Sequence, residues 1–450
     1  MKTNLAEFIK STPEGREADS ILRTCVHCGF CTATCPTYQL LGDELDSPRG
    51  RIYLMKEVLE GNAVTAKTQM HLDRCLTCRS CETTCPSGVQ YGRLVDIGRN
   101  IVEQHVRRPL SQSIVRTALR IVLPRPALFR PLLRTGQSLR PLLPAFLQKK
   151  IPTTGASNSE WPAARHVRRM LVLGGCVQPA LAPDINPATA RVLDRLGISL
   201  ISAEAAGCCG AVTFHLNRQD EALDYMRRNI DAWWPHVEAG VEAVVMTASG
   251  CGTMVKEYGH LLARDPQYAE KAARISELSK DISEIVFAEK EKLEDVLGSP
   301  LSPYGRSPVM AKPVSHAESS EVGSPSSLMA EGRYPVGDPA SAAKPRVAFH
   351  SPCSLQHGLQ IRGMVEALLT LAGFELTLVP DSHLCCGSAG TYSILQPELS
   401  QRLLKNKVNA LESGMPAMLA TANIGCLTHI QSGTPLKVKH WINILDERLS

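Results

Sequence analysis

The 450-residue sequence lacks the features by which several large classes of protein are recognised. No stretch approaches the roughly 18–20 continuous apolar residues that a membrane-spanning helix needs. The N-terminal segment has no apolar run that could serve as a signal peptide, and its charges are mixed. A G-x-G-x-x-G fingerprint, a P-loop and a nucleophile elbow are also missing. These absences favour a cytoplasmic protein with an accessory rather than a self-contained catalytic role.

Acidic side chains are absent from residues 104–159, where ten Lys or Arg residues occur. Apolar residues at 114, 115, 118, 119, 121 and 122 predict a short amphipathic helix, and the prolines at 124, 126, 131, 141 and 144 are expected to break the rest into short pieces. This basic stretch is typical either of a surface that contacts anionic lipid or an acidic partner, or of a connector packed on its own protein. The net charge of +5 is too small to indicate nucleic-acid binding.

No cysteine lies outside a repeated pattern. The run Cys-x2-Cys-x2-Cys-x3-Cys-Pro begins at Cys25 and recurs at Cys75. In paired runs of this kind, three thiolates bind one [4Fe-4S] cluster and the fourth completes the other cluster. We therefore predict one cluster on Cys25, Cys28, Cys31 and Cys85, and a second on Cys75, Cys78, Cys81 and Cys35. The alternatives are structural zinc, which usually pairs two CxxC units across a longer gap, and disulfides, which are rare in a reducing cytosol.

A different cysteine pattern occurs twice in the rest of the chain. A single Cys is followed after 31 residues by Cys-Cys-Gly, and a further single Cys comes later. The two candidate metal-binding sets are Cys176, Cys208, Cys209 and Cys251, and Cys353, Cys385, Cys386 and Cys426. In both copies the cysteines follow predicted strands, and the carboxyl ends of parallel strands are where such sheets bind ligands.

Strands alternate with helices in both copies, which predicts a duplicated α/β unit with a parallel sheet. The fold class is therefore α+β and multi-domain, with a mostly helical ferredoxin-like module that carries two [4Fe-4S] clusters, followed by two α/β Cys-Cys-Gly domains. Residues 298–344 contain 28 Ser, Pro, Gly or Ala among 47, which predicts a flexible linker. The predicted boundaries are 1–105 for the module, 106–167 for the basic connector, 168–297 for the first Cys-Cys-Gly domain, 298–344 for the linker and 345–450 for the second domain.

The duplicated pattern resembles the Cys-Cys-Gly domain family of heterodisulfide reductases and several dehydrogenase iron–sulfur subunits. In that family the last element is often CxxC, which gives five cysteines per site. This chain departs from the family, because Met254 and His429 stand where the fifth cysteine would be. A four-thiolate [4Fe-4S] site, a zinc site and a metal-free structural role all remain open for the eight cysteines.

Residues around the cysteines carry a closer resemblance. The stretches 25–37, 46–51, 73–79, 248–252 and 421–426 are similar to the iron–sulfur subunit of bacterial glycolate oxidase. This resemblance implies an oxidoreductase subunit without a catalytic site of its own. A partner FAD subunit would oxidise glycolate to glyoxylate, and also D-lactate to pyruvate. A related flavoprotein-like subunit would complete the complex, electrons would leave toward a quinone-type acceptor, and membrane contact would be peripheral on the cytoplasmic face.

Three other interpretations of function stay open at this point. The first is a self-standing heterodisulfide-reductase or quinone-reductase protein whose Cys-Cys-Gly sites act directly on the substrate. The second is the iron–sulfur subunit of a lactate or glycerol-3-phosphate dehydrogenase. The third is a metal-stapled scaffold without a redox role.

Overall fold

The computed structural model describes residues 1–142, 158–298 and 344–450. It is a mostly helical α+β protein with two small parallel sheets. The predicted linker, apart from its end residues Gly298 and Lys344, lies outside the described residues. Within the described ranges, no helix is both long and apolar enough to cross a membrane.

The N-terminal module is helical, and polar caps set where its helices begin. Ser47 accepts a hydrogen bond from the backbone N–H of Gly50, and Pro48 occupies the first helical turn, as its fixed φ favours. The module's core is built around Leu22, Met55 and Leu94. The helices of this module are Glu7–Lys10, Pro13–Thr24, Pro36–Leu41, Pro48–Leu59, Ala66–Asp73, Ser80–Thr84 and Tyr91–His105.

The basic connector forms two helices, Leu110–Val122 and Pro126–Leu139. The first agrees with the predicted amphipathic helix. The prediction that prolines break the remainder into short pieces is wrong at Pro131, which lies inside the second helix. Pro124 and Pro126 do lie where the first helix ends and the second begins, and Pro144 lies outside the described residues. Pro126 occupies the first turn, where its missing N–H costs nothing. Pro131 leaves one carbonyl without its usual partner, and the helix is exposed there, so water can satisfy that carbonyl.

The strands of the first Cys-Cys-Gly domain are β1 (Arg168–Val172), β2 (Ile198–Ser202), β3 (Val244–Met246) and β4 (Ser279–Asp281). They form a four-stranded parallel sheet in the order β2-β1-β3-β4. Its helices are Gln178–Leu181, Ile185–Arg195, Ala211–His215, Gln219–Glu238, Ser249–Lys256, Tyr258–Leu261, Ala269–Leu278, Ile282–Ala288 and Lys290–Leu297.

The strands of the second Cys-Cys-Gly domain are β5 (Arg346–His350), β6 (Glu375–Leu376), β7 (Met418–Thr421) and β8 (Val438–His440). They repeat the topology of the first domain, all parallel and in the order β6-β5-β7-β8. Its helices are Met364–Leu371, Tyr392–Leu395, Pro397–Glu412, Ile424–Gln431 and Trp441–Leu449, and a π-helical turn spans Ser354–Gly358.

The sequence pattern missed the fourth strand of each sheet. Strands β4 and β8 have three residues each and carry polar side chains at Ser279, Lys280 and Lys439, so they give no apolar run. Each strand leads directly into a helix whose N-cap side chain, Asp281 or His440, accepts a backbone hydrogen bond. In both copies, therefore, the short edge strand is followed directly by a capped helix.

The two Cys-Cys-Gly domains share one hydrophobic core. Residues from both sheets, such as Val172 and Val347, belong to the same buried cluster, together with Trp441 from the last helix. Arg191 of the first domain pairs with Asp446 of the second at 2.6 Å, and the side chains are 12% and 8% exposed. The two copies therefore pack as a single unit and do not form two separate globular domains.

The N-terminal module docks onto both domains at once. Arg79 and Arg93 pair with Glu257 of the first domain at 3.0 and 3.2 Å. Thr83 hydrogen-bonds with His357 of the second domain at 2.8 Å. The cysteine loops of the module therefore lie against the cysteine-bearing edges of the two sheets.

We expect Arg191→Met to destabilise the protein by roughly 3 kcal/mol, because it leaves the buried Asp446 carboxylate without its bidentate partner. The measurement is the apparent melting temperature, followed by circular dichroism. The matched control is Arg274→Met, which breaks an exposed ion pair with Glu277 within one helix and should change the melting temperature little. Equal effects of the two substitutions would show that the interdomain pair carries no special weight.

Candidate metal centres

The two cysteine runs of the module fold into loops of the same shape. In each run the residues two and four places after the first cysteine have positive φ, namely His27 and Gly29 in the first run and Thr77 and Arg79 in the second. Alternation of right- and left-handed backbone turns successive N–H groups inward, and such concavities bind anions and iron–sulfur centres. The local backbone is therefore already shaped to surround a negatively charged cluster.

The four cysteines predicted for the first cluster line one cavity of about 430 Å³, including its open mouth. They are Cys25, Cys28, Cys31 and Cys85. Cys28 is exposed at the mouth, whereas Cys25 is buried. The structure thus brings together three thiols of the first run and the last thiol of the second run.

A neighbouring cavity of about 310 Å³ is lined by the four cysteines predicted for the second cluster. They are Cys75, Cys78, Cys81 and Cys35. Cys81 and Tyr91 line both cavities, so the two sites share a wall. The Tyr91 hydroxyl donates a hydrogen bond to the Cys75 sulfur at 3.6 Å. Such donors stabilise thiolate charge and help to set the reduction potential of a bound cluster.

A buried charge network supports the second cavity. The carboxylate of Asp46 is fully buried and accepts from Arg51 at 3.2 Å and from Arg74 at 2.8 Å, and its other close partner is His71 at 3.1 Å. Arg51, which lines the cavity, also donates to the Thr37 hydroxyl, and that hydroxyl lies 3.3 Å from the Cys35 sulfur. A buried guanidinium is tolerable only when it is paired, and here it brings positive charge next to the thiols.

Arg99 holds the second cysteine loop in place through hydrogen bonds to the loop. Its guanidinium donates to the carbonyls of Leu72 and Cys75 and to the Thr77 hydroxyl, at 2.6–3.1 Å. Nothing in the spacing of the cysteines indicates this residue. The carbonyls belong to the cysteine loop itself, whereas Arg99 lies 24 residues after Cys75, in the helix Tyr91–His105.

The two Cys-Cys-Gly turns have nearly identical geometry. The glycine N–H donates to the sulfur of the first adjacent cysteine, from Gly210 to Cys208 at 3.5 Å and from Gly387 to Cys385 at 3.4 Å. Both glycines have φ near +90°, and a Cβ on Gly387 would lie 2.7 Å from the carbonyl oxygen of Ser400. Glycine is therefore required by both conformation and close packing.

In the first Cys-Cys-Gly domain the four predicted cysteines meet at the carboxyl edge of the sheet. Thiol–thiol contacts link Cys176 to Cys208, Cys208 to Cys209, and Cys209 to Cys251. Hydrogen bonds from Cys176 and Cys209, aided by the Gly210 N–H, hold the pKa of the Cys208 thiol well below its usual range. A lowered pKa favours the thiolate, which is the form of cysteine that binds metals.

In the second domain the four predicted cysteines also converge. The sulfurs of Cys353 and Cys385 are 3.8 Å apart, and contacts continue from Cys385 to Cys386 and from Cys386 to Cys426. The Lys407 side chain, 3% exposed, lies nearby and donates to the Asp381 carbonyl at 2.7 Å. Burial lowers the pKa of Lys407, and the nearby thiols oppose that shift.

The residues at the position of the missing fifth cysteine do not replace it in the same way. Met254 belongs to an apolar cluster of the first domain. His429 is buried, and its Nε2 lies 3.2 Å from the Ser400 hydroxyl. Burial lowers the pKa of His429 to about 4, so its ring is neutral at neutral pH. A different histidine, His350, has a ring nitrogen in the group of donor atoms that includes Cys386 and Cys426, all within 4.8 Å of one another.

The second module cavity adjoins the second Cys-Cys-Gly site. Cys78 and Cys353 are partly buried and pack against a buried cluster that contains Cys385, Leu76 and Tyr392. The Tyr392 hydroxyl donates to the carbonyl of Arg74 at 3.1 Å, which fixes the module against this domain. Cysteine spacing predicted each set separately, but only the fold shows that these two sets are neighbours.

Asn423 connects the two Cys-Cys-Gly sites. Its amide nitrogen lies 3.6 Å from the Cys426 sulfur, and its amide oxygen accepts from the N–H of Gly250 at 3.4 Å. Gly250 directly precedes Cys251, the last cysteine of the first site. One side chain therefore spans the interval between the sites. The four cysteine sets are therefore adjacent one after another, the first module site to the second, the second to the later Cys-Cys-Gly site and that site to the earlier one, and we call this series the row.

The donor sets fit iron–sulfur clusters chemically. Four thiols converge in each place, backbone N–H groups and Tyr91 point at the sulfurs, and buried cations offset negative charge. When bound, such clusters accept and donate single electrons. The ligand sets remain predictions at the level of individual residues.

Comparison with protein families matches the N-terminal and repeated regions separately. Residues 21–89 match the 4Fe-4S dicluster domain. Residues 170–256 and 347–431 each match the cysteine-rich domain family. The chain is therefore an iron–sulfur protein with a dicluster module and a duplicated cysteine-rich domain, as the sequence predicted.

Curated relatives extend over the whole chain. The glycolate oxidase iron–sulfur subunit of Escherichia coli (strain K12) is 53% identical over 100% of this chain and 99% of its own length. The probable glycolate oxidase iron–sulfur subunit of Bacillus subtilis (strain 168) is 27% identical over 96% of this chain and 92% of its own length. Lactate utilization protein A of the same organism is 24% identical over 61% of this chain and 97% of its own length.

Double substitutions test the predicted exchange of the fourth cysteine between runs. Cys35→Ser with Cys75→Ser removes two ligands of the same predicted set, so we expect about one of the module's two clusters to be lost. Cys31→Ser with Cys35→Ser removes one ligand from each set and should damage both clusters. Iron and sulfide analysis with electron paramagnetic resonance (EPR) on anaerobic protein measures the losses. The reverse ranking would mean that each run binds its own cluster.

Proposed function

Since the chain belongs to the family of glycolate oxidase iron–sulfur subunits, we propose that it transfers electrons from a partner FAD subunit to a quinone-type acceptor. The partner would oxidise glycolate to glyoxylate, with D-lactate as a second substrate. A related flavoprotein-like subunit would complete the complex on the cytoplasmic side of the membrane. The observation that carries the proposal is the row of four cysteine sets, because a relay requires closely spaced redox sites.

The row has one exposed end. Cys28 lies at the mouth of the first cavity, and it is flanked by Val26 and Phe30, which are 68% and 61% exposed. Apolar side chains this exposed around a functional site are typical of a protein interface. Arg49 lies beside them, at the same cavity mouth. We therefore assign this face, defined by Val26, Cys28 and Phe30, to contact with the FAD subunit.

From that face inward, the protein's own residues keep the sites close and dry. Cys81 and Tyr91 line both module cavities, and Cys78 of the second cavity packs on the same cluster as Cys353 of the second Cys-Cys-Gly site. Cys208 and Cys386 are 0% exposed. Burial of the inner thiols excludes water and unwanted oxidants. The scaffold interpretation leaves this ordered arrangement without a purpose, and dependence of the activity on an added flavoprotein, tested below, separates an electron-transfer subunit from a self-standing reductase.

Activity should depend on a separate flavin subunit and on the exposed face. The chain alone should contain no stoichiometric FAD and should not oxidise glycolate, whereas adding the flavoprotein should restore glycolate-dependent dye reduction. Val26→Asp with Phe30→Asp should then lower this activity by at least about tenfold, since two charges must be desolvated at the contact.

Dithionite reduction of the same variant supplies the internal check, because its clusters should still be reduced normally. Met415→Asp is the matched control, since Met415 is 78% exposed and lies in the second Cys-Cys-Gly domain. Oxidation of glycolate by the isolated chain, or full activity in the double variant, contradicts the assignment.

The other end of the row lies under the basic helices. Tyr225 packs with Cys176 and Cys208 of the first site, and it interacts electrostatically with Arg125 of the connector. The helix Pro126–Leu139 contacts the helix Gln178–Leu181, which follows Cys176. The connector therefore covers the first Cys-Cys-Gly site, and an acceptor that approaches from the connector side meets this site first.

Both connector helices expose an apolar stripe of the same spacing. The stripes comprise Leu110, Ile114 and Ile121, and Leu128, Leu132 and Leu139, each at positions i, i+4 and i+11 of its helix. This spacing puts the three side chains on one helical face. Exposed Arg125, Arg130 and Arg134 lie on the same segments. Exposed apolar stripes with basic neighbours fit an anionic lipid surface, and we propose peripheral membrane contact through them.

Two of the connector's arginines have a different role. Arg116 pairs with Asp73 at 3.2 Å and Arg120 pairs with Glu221 at 2.6 Å. These two ion pairs hold the helix Leu110–Val122 on the module and on the first Cys-Cys-Gly domain. Attraction to lipid, on the order of 1 kcal/mol for each basic residue near the surface, must come from the other cations.

Replacing Leu110, Ile114 and Leu132 by Ser should release the protein from vesicles that contain phosphatidylglycerol, because it removes the apolar contact while keeping every charge. Co-sedimentation at low and moderate salt measures binding, and wild-type binding should weaken with salt. Leu378→Ser, at an 86% exposed position of the second domain, is the matched control. Unchanged binding of the triple variant would leave the helices as a connector only.

A further inference from the structure

His350 is a buried histidine without hydrogen-bond partners. It ends strand β5 and is 2% exposed. Both ring nitrogens are buried and unpartnered, which among the described histidines is true of His350 alone. Burying a polar group without a partner costs roughly 1–3 kcal/mol, and such groups in native proteins call for a specific explanation, such as a bound ion.

The place of the ring supplies that explanation. A ring nitrogen of His350 and the sulfurs of Cys386 and Cys426 all lie within 4.8 Å of one another. Contacts between thiols extend this group to Cys385 and Cys353. Imidazole is a common metal ligand in its neutral form, and burial favours that form. The second site therefore places one imidazole and two thiols close to one another, and two further thiols continue the series of contacts.

The first copy provides an internal comparison. His350 lies three residues before Cys353, and Leu173 lies three residues before Cys176. The strand pairing gives the same equivalence, because Val172 pairs with Val245 and Phe349 pairs with Ala420, and each partner lies six residues before the last cysteine of its site. Leu173 instead packs in an apolar cluster with Cys209 and Met246. The duplicated scaffold thus carries leucine at this wall in one copy and histidine in the other.

We propose that His350 is a fifth ligand of the iron centre held by Cys353, Cys385, Cys386 and Cys426. The two Cys-Cys-Gly sites then differ in kind, with four thiolates in the first and four thiolates and one imidazole in the second. The inference rests on iron binding at the second site and is independent of the substrate that the complex oxidises. His429 is the rival donor, but its Nε2 lies 3.2 Å from the Ser400 hydroxyl, and it is His350 whose ring nitrogen lies with the sulfurs of Cys386 and Cys426.

An imidazole ligand has a predictable electronic effect. It is neutral where a thiolate is anionic, and histidine ligation raises the reduction potential of iron–sulfur centres relative to all-cysteine ligation. The second site would therefore be more easily reduced than a five-thiolate site on the same scaffold. Replacing His350 by Cys should keep the iron and lower the midpoint potential of this centre.

The test is pulsed EPR on the full-length protein, purified anaerobically and poised in oxidised and reduced states, without substrate or partner. Protein grown with ¹⁵N-labelled histidine is compared with unlabelled protein. We expect a strong nitrogen coupling that changes with the label, is lost in His350→Leu and His350→Cys, and persists in His429→Leu. Iron content should fall in His350→Leu and be rescued in His350→Cys.

The wild-type isotope comparison decides the question even if a variant fails to fold. A wild-type spectrum without histidine-dependent coupling in either state overturns the proposal. A coupling that survives His350→Leu, or that disappears in His429→Leu alone, also overturns it, as does zinc in place of iron at the second site. Because no glycolate is involved, these outcomes are separate from success or failure of the proposed electron-transfer function.

Discussion

The buried carboxylate of Asp46 is the fixed point of the N-terminal module. It receives hydrogen bonds from Arg51 and Arg74 and lies against His71, and thereby joins a 3₁₀ turn, two helices and the loop that leads into Cys75. A carboxylate at 0% exposure is stable only with such partners, so the segments that carry them cannot move independently. The positions of Cys35 and Cys75 follow from this arrangement, and so does the contact of the cysteine loops with the second Cys-Cys-Gly domain.

The rest of the described protein consists largely of two copies of the Cys-Cys-Gly domain, each with the same arrangement of four cysteines. The glycine turn, the parallel sheet and the convergence of four thiols are the same in both copies. What differs is the lining of each site: Leu173, Met246 and Met254 in the first, and His350, Thr421 and His429 in the second. A conserved backbone with different walls lets two sites of common origin acquire different electronic properties, because a few side chains near a metal centre control its charge and solvation.

Much of this organisation could be predicted from the sequence, since cysteine spacing and strand–helix alternation are local signals. The α+β class, the dicluster module and the duplicated domain were predicted correctly, and the glycolate oxidase resemblance agrees with the similarity to known relatives. The spacing also grouped the thiols that line each cavity, although their roles as ligands remain predictions. Arg99, Tyr91 and His350 were not recognised, because each reaches its site through tertiary packing. The edge strands β4 and β8 were missed because each has only three residues, some of them polar, and so shows no hydrophobic periodicity. The prediction that a helix would break at Pro131 was wrong because an exposed helix tolerates the loss of one hydrogen bond.

The unequal burial of the cysteines determines the order in which they are oxidised by oxygen or peroxide. Cys28 is exposed at the cavity mouth, while Cys208 and Cys386 are completely enclosed. Thiolate oxidation follows exposure, so damage by oxygen or peroxide begins at the outer rim and reaches the interior last. The partner proposed above would cover that rim when it is docked. The outer thiols would then be protected from oxidation in the assembled complex and exposed to it in the unassembled subunit. Unassembled copies would lose their outer cluster first and become inactive while the rest of the fold is still intact.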